Sequence, residues 1–148
     1  MPRYAYGLAL LALITFATCS HPTTGLLQTD APYTLRTING QLLPYAVNGN
    51  ANGPTVTSGS ITFFNDHSVQ RTEQGRRPSG TTMTDSKWTQ PGTFYTQIGR
   101  VVVQYQGWPT PQGGPRSAVD TLMATKSGAY VLNEGGMTLI FCRADTNC

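Results

Sequence analysis

The groups able to do chemistry are few: two histidines, three cysteines and seven carboxylates in 148 residues. A serine hydrolase needs a Ser, a His and an acid joined in one line of hydrogen bonds. His21 lies in a Pro, Thr and Gly stretch where nothing would orient it, and His67 stands in a turn signal beside Asp66. The chain has no Gly-x-Ser-x-Gly elbow, no P-loop and no His-Glu-x-x-His. A glycosidase needs two carboxylates facing one substrate. Asp30, Asp66, Glu73, Asp85, Asp120, Glu134 and Asp145 fall mostly in turn signals or near strand ends, and Asp120 sits within a strand signal where it can point either way. No Cys/His spacing suggests zinc. These residues predict a protein that is not an enzyme and uses no metal or cofactor.

The remaining polar candidates are arginines. Arg71, Arg76 and Arg77 form a local basic group that reads as a solvated hairpin tip, or alternatively as a contact for an anionic partner. Arg36 alternates against Tyr33 and Leu35. If those two face the core, Arg36 faces solvent; if the fold encloses a polar pocket, it can enter that pocket. Most of the aromatics read as core. Trp108 opens a Pro-rich loop, where a contact residue would be exposed. Arg36, Trp88, Tyr105 and Trp108 are the candidate ligand or partner contacts.

The elements that must position these groups are strands. Only 11% of residues are charged, against roughly 25% in ordinary domains. Sixteen glycines and ten prolines disfavour long helices. A net charge of +3 over this length is too small to argue for nucleic acid. Alternating segments, bounded by turn dipeptides, recur from Tyr33 onward. Asn39-Gly40 is a tight turn, Pro44 demotes Gln41–Val47 to an edge or bulged strand, and residues 48–54 form a loop. Thr55–Phe64 and Ser68–Thr72 follow, with loops expected at Gly75–Gly80, at Gln90-Pro91-Gly92 and along Trp108–Arg116. In Arg100–Gln106, Val101, Val103 and Tyr105 share one face. Val119–Lys126, Ala129–Leu132 and Met137–Arg143 complete about eight to ten strands. Closure into an up-and-down barrel removes the exposed edges of such a run. A two-sheet sandwich is the alternative.

The N-terminus reads as an address. Arg3 precedes an uncharged apolar run of 14 residues, Tyr4 to Ala17, too short for a membrane span of about 20 residues. Phe16-Ala17-Thr18-Cys19 resembles a bacterial lipobox, with Phe16 and Thr18 as departures. The division expected is a lipoprotein signal over 1–18, a tether over 19–31 and one barrel domain over 32–148, with Cys19 lipidated and the product held at the cell envelope. A soluble secreted protein and a retained anchor helix are the alternatives. With Cys19 acylated, Cys142 and Cys148 remain to pair in an oxidising compartment; otherwise Cys142 is buried and Cys148 unbridged.

One segment resembles a known family. Tyr33-Thr34-Leu35-Arg36-Thr37-Ile38-Asn39-Gly40-Gln41-Leu42-Leu43-Pro44 is similar to the opening of small lipocalin-like bacterial lipoproteins. Ser58–Phe63, the Gly92-Thr93-Phe94 hairpin and Gly136–Phe141 continue the resemblance to about Arg143. It implies an all-β, lipocalin-like barrel. Most members are uncharacterised, so no catalytic residue carries over. The expected function is binding of a small apolar ligand or an envelope component. The alternative is a scaffold, interaction or inhibitor module with a fully packed core. An acid converging with a His or Ser inside the barrel would point instead to an enzyme.

Overall fold

Alternation of β-branched and aromatic residues with Thr, Ser and Gln forms ten strands among the described residues. They are β1 (Pro32–Ile38), β2 (Gln41–Leu42), β3 (Tyr45–Ala46), β4 (Thr55–Phe63), β5 (Ser68–Ser79), β6 (Thr82–Gln97), β7 (Arg100–Pro109), β8 (Pro115–Ala124), β9 (Tyr130–Glu134) and β10 (Met137–Arg143). The computed structural model describes residues 27–50, 52–109, 115–145 and 148. The expected signal segment 1–18, Cys19 and the expected tether up to residue 26 lie outside the described residues.

All pairings are antiparallel, and consecutive strands from β4 to β10 are neighbours. β1 pairs with β10 on one side, Leu35 opposite Phe141, and with β4 on the other, Tyr33 opposite Ile61. That double pairing closes eight strands into a barrel and leaves no open edge between them. It also decides for the barrel against the two-sheet sandwich. β2 and β3 are short additions on β1 and β4. They are separate because Pro44, in a cis Leu43–Pro44 peptide, interrupts the expected single strand.

Turns follow the glycines. Asn39 (φ 52) and Gly40 (φ 76) make the β1–β2 turn, and Gly135 and Gly136, both with positive φ, make the β9–β10 turn. Such pairs match the twist of the flanking strands. Two expected loops are largely strand instead, and a third is shortened. Gly75–Ser79 continues β5, whose register with β6 runs unbroken from Ser68↔Thr93 to Ser79↔Thr82, and only Gly80 remains in the turn. Gln90-Pro91-Gly92 lies inside β6, with Pro91 opposite Gln70. The glycines there permit close approach: a Cβ on Gly75 would lie 2.3 Å from the Thr55 carbonyl oxygen, and one on Gly92 2.5 Å from that of Gln104. Trp108 and Arg116 are paired residues of β7 and β8, after a bulge beyond Tyr105, so the loop between these strands is shorter than expected.

Inward positions follow the strand period of two. Tyr33, Phe63, Phe94 and Tyr130 make an aromatic layer, with Tyr33–Tyr130 at 5.1 Å and Phe63–Phe94 at 5.0 Å, both edge-on. Such contacts add about 0.5–1.5 kcal/mol each beyond area burial. Leu35, Ile38, Ile61, Val69, Val101, Val103, Leu122, Leu132, Leu139 and Phe141 fill the rest of the apolar core. At the N-terminal end, Leu27 packs on this core. The Asp30 amide donates to the Phe63 carbonyl, and the Gln28 amide donates to the Tyr33 hydroxyl. Leu27, Gln28 and Asp30, within the expected tether, thus contact the barrel. At the same end the structure joins Cys142 to Cys148, with Cα atoms 6.3 Å apart.

Candidate functional site

Strand alternation dictates where β5 sends its side chains. Val69 is buried in the core, so Arg71 and Glu73, two and four residues on, share its inward face. Arg71 is 2% exposed. Its Nη1 lies 3.3 Å from Asp120 Oδ2, and its Nη2 lies 2.7 Å from Glu73 Oε1 and 2.6 Å from Glu134 Oε2. The guanidinium carbon stands 5.7 Å from the centre of the Trp88 ring. Tyr105, fully buried on β7, also interacts with the guanidinium. Strands β5, β6, β7, β8 and β9 thus each send one or two groups to a single point.

The electrostatics of this group are asymmetric. One guanidinium faces three carboxylates, so full ionisation leaves two surplus negative charges in a low-dielectric interior. Burial, then the Glu134 charge, pushes the Asp120 carboxyl up to about 6. Arg71 is pulled down by burial, but Glu73 and Glu134 more than reverse this and hold it firmly cationic. Burial drives the Tyr105 phenol well above its ordinary value. Among the described residues, no set of three His, Cys, Asp or Glu side chains is placed to hold a metal ion. The three acids surround Arg71 instead.

The two ends of the barrel differ. Beyond Arg71, at the end carrying the β1–β2 and β9–β10 turns, a recess of about 220 Å3 is lined by Ile38, Val56, Met137 and Leu139, with Trp88, Glu73 and Glu134 at its polar side. At the N-terminal end a wider cleft of about 450 Å3 opens. Its apolar floor is Phe94, Val101, Ala124 and Tyr130, with Leu27 and Phe64 beside it. Thr29, Asn65, His67, Thr96, Gln97 and Arg100 form its polar rim. Burial, then the neighbouring Tyr33, pushes the Tyr130 phenol up to about 12, so the cleft floor is neutral at ordinary pH. His67, held at φ 65, lays its ring on Phe94 with centroids 5.7 Å apart. Its neighbour Asp66 accepts hydrogen bonds from the Ser68 amide and hydroxyl.

The expected site residues are dispersed. Trp88 and Tyr105 meet at Arg71. Arg36 is exposed on the outside of β1, beside a bulge between Leu35 and Thr37, and touches neither cavity. Its neighbours Tyr33 and Leu35 take the inward positions. The Trp108 side chain lies outside what is described.

Arg71 is not part of a solvated basic tip. It is buried, whereas Arg76 pairs with Asp85 at 3.5 Å on the exposed part of the β5–β6 hairpin. Glu73 and Glu134, expected in turns or near strand ends, converge with Asp120, expected within a strand where it could point either way. The signal that finds Arg71 and Glu73 is their spacing from Val69. The contributions of β8 and β9 require the barrel register. Neither His67 nor a serine joins this interior group among the described residues.

No family model, no curated protein and no solved structure matches this chain.

Proposed function

We propose that the protein is an exported, lipid-anchored binding module that holds a small, largely apolar ligand in the cleft at the N-terminal end of its barrel. The cleft of about 450 Å3 carries the proposal, because ligand sites for drug-sized molecules run from about 300 to 1,000 Å3 and are mostly apolar with a few polar groups at the margin. Its aromatic floor and its rim of Thr29, Asn65, His67, Thr96, Gln97 and Arg100 fit that description. The ligand enters the mouth and stops there, since the interior beyond Tyr130 and Phe94 is filled by the aromatic layer and the Arg71 group. Export and anchoring rest on the N-terminal apolar run and Cys19, and on the resemblance to lipocalin-like lipoproteins. The binder is non-enzymatic in this account. The interior carboxylates are committed to Arg71, and the His67 ring lies against Phe94 rather than beside a nucleophile.

The filled interior favours a second reading, an envelope scaffold with a packed core. Titration with a neutral apolar fluorophore such as N-phenyl-1-naphthylamine separates the two. Thr96 is exposed on the cleft rim, so Thr96→Trp fills the cleft without disturbing the core. Saturable binding by wild type, lost in Thr96→Trp, supports the ligand site. No binding by wild type supports the scaffold.

A further inference from the structure

The described residues expose five large hydrophobic side chains: Leu42, Tyr95, Ile98, Val119 and Met123. Three of them gather at the N-terminal end, on and beside the β6–β7 hairpin tip. Ile98, at 103% of full exposure, is the tip itself. Gln97 pairs with Arg100, and Arg100 pairs with Met123 across to β8. Tyr95 pairs with Val102, two rungs from the tip. The next turn at this end, between β8 and β9, carries exposed Lys126. Arg100 makes no ion pair with a described residue, and no acid lies on these rungs. The acids of this end, Asp30, Asp66 and Asp145, lie on the opposite side, at the β4–β5 turn and the chain termini. They are held locally by Asn65, Ser68 and Arg143 respectively.

An isoleucine held fully in water at a hairpin tip, flanked by a tyrosine, a methionine and two cations, has the composition of a membrane-interface contact. Apolar and aromatic groups enter the headgroup boundary, while the basic residues meet anionic lipid. The path of the chain names the same occupant. Leu27 lies at this end of the barrel, beside the cleft. The eight residues from Cys19 to Leu27 reach at most about 29 Å when fully extended. An anchor at Cys19 therefore holds this end, where the chain enters the barrel, within about 29 Å of the bilayer.

We infer that the β6–β9 side of the N-terminal end docks on an anionic lipid bilayer, with Ile98 in the interface and Arg100 and Lys126 against the headgroups. The inference rests on the anchored reading above. It places the mouth of the cleft at the lipid surface and turns the recess beyond Arg71 away from it.

The test uses the full chain carrying Ile98→Trp, a change at a fully exposed tip. The protein is reconstituted with vesicles of phosphatidylcholine and phosphatidylglycerol, with part of the phosphatidylcholine brominated on its acyl chains. Sedimentation reports anchoring. The difference in emission between variant and wild type reports residue 98. The expected result is co-sedimentation with a blue-shifted difference emission that the brominated lipid quenches, and quenching that falls when phosphatidylglycerol is omitted. Co-sedimentation without quenching overturns the docking and leaves anchoring intact. Equal quenching on purely neutral vesicles overturns the assignment to an anionic surface. Failure to sediment overturns anchoring and the docking with it.

Discussion

Arg71 and Asp120 face each other inside the barrel, 49 residues apart in the chain and 3.3 Å apart in space. The contact ties β5 to β8, which are not neighbours in the sheet. It can exist only because the barrel closes and brings their inward faces together. Glu73 and Glu134 share the same guanidinium. This ionic group fills the space that a ligand-enclosing barrel would leave empty.

Removing the arginine isolates its partners. Arg71→Met leaves three buried or half-buried carboxylates without their counter-ion. Breaking a buried pair in this way costs about 3–5 kcal/mol. The expected result in urea denaturation is a large fall in midpoint, larger than for Arg76→Met, whose pair with Asp85 is solvent-exposed.

Asp120 sets a pH dependence. Its carboxyl is raised to about 6 in the folded barrel, above the ordinary carboxylate value. The folded state therefore holds this proton more tightly than the unfolded chain does. The associated stability is fully present below about pH 4 and is lost as pH rises through about 6. The groups facing Asp120 are Arg71 and Glu73 from β5, Tyr105 from β7 and Glu134 from β9. Melting temperature should rise as pH is lowered from 7.5 to 5. Asp120→Asn should flatten that rise and stabilise the protein at pH 7.5 by up to about 3 kcal/mol. A melting temperature that falls over this range in wild type, and falls equally in the variant, contradicts the assignment.

Much of this architecture is legible in the residues. The alternation Val101, Val103, Tyr105 places those side chains inward, and Asn39-Gly40 is the turn it reads as. Most of the expected loop at Gly75–Gly80, and all of that at Gln90–Gly92, is strand because turn-forming residues also serve where two strands crowd together. Gly75 and Gly92 leave out a Cβ that would meet a carbonyl oxygen of the adjacent strand. Arg71 misleads for a different reason. Its neighbours Arg76 and Arg77 make it resemble a surface patch, and the acids that neutralise it come from distant strands. Its spacing from Val69 is local information, whereas its partners are not. The cleft lies beyond sequence reasoning too, because its lining joins Leu27 with residues from several strands and turns.

That account of glycine predicts a specific cost. Gly92→Ala places a methyl 2.5 Å from the Gln104 carbonyl oxygen and 3.0 Å from the Tyr105 ring, so β6 and β7 must separate. Overpacking of this kind costs about 1–3 kcal/mol. The thermal midpoint should fall accordingly.

At the aromatic layer, Phe63 touches Tyr33, Phe94 and Tyr130. Phe63→Ala should lower stability by about 3–5 kcal/mol in urea denaturation.

The tail offers a milder change. Cys142 and Cys148 are six residues apart, so the bridge constrains little of the unfolded chain. Cys148→Ser should lower stability by about 2 kcal/mol and leave the barrel's far-ultraviolet spectrum unchanged. Identical melting of both proteins, with a free thiol in wild type, contradicts the bridge.

The ligand proposal is tested most directly by native mass spectrometry of the protein purified from its native cells, with Thr96→Trp prepared alongside. The proposal predicts a wild-type mass carrying a small-molecule adduct that is released on denaturation, and a Thr96→Trp mass without it. A wild-type mass that carries no adduct, and does not change when an apolar probe is added, contradicts the proposal and leaves a packed scaffold.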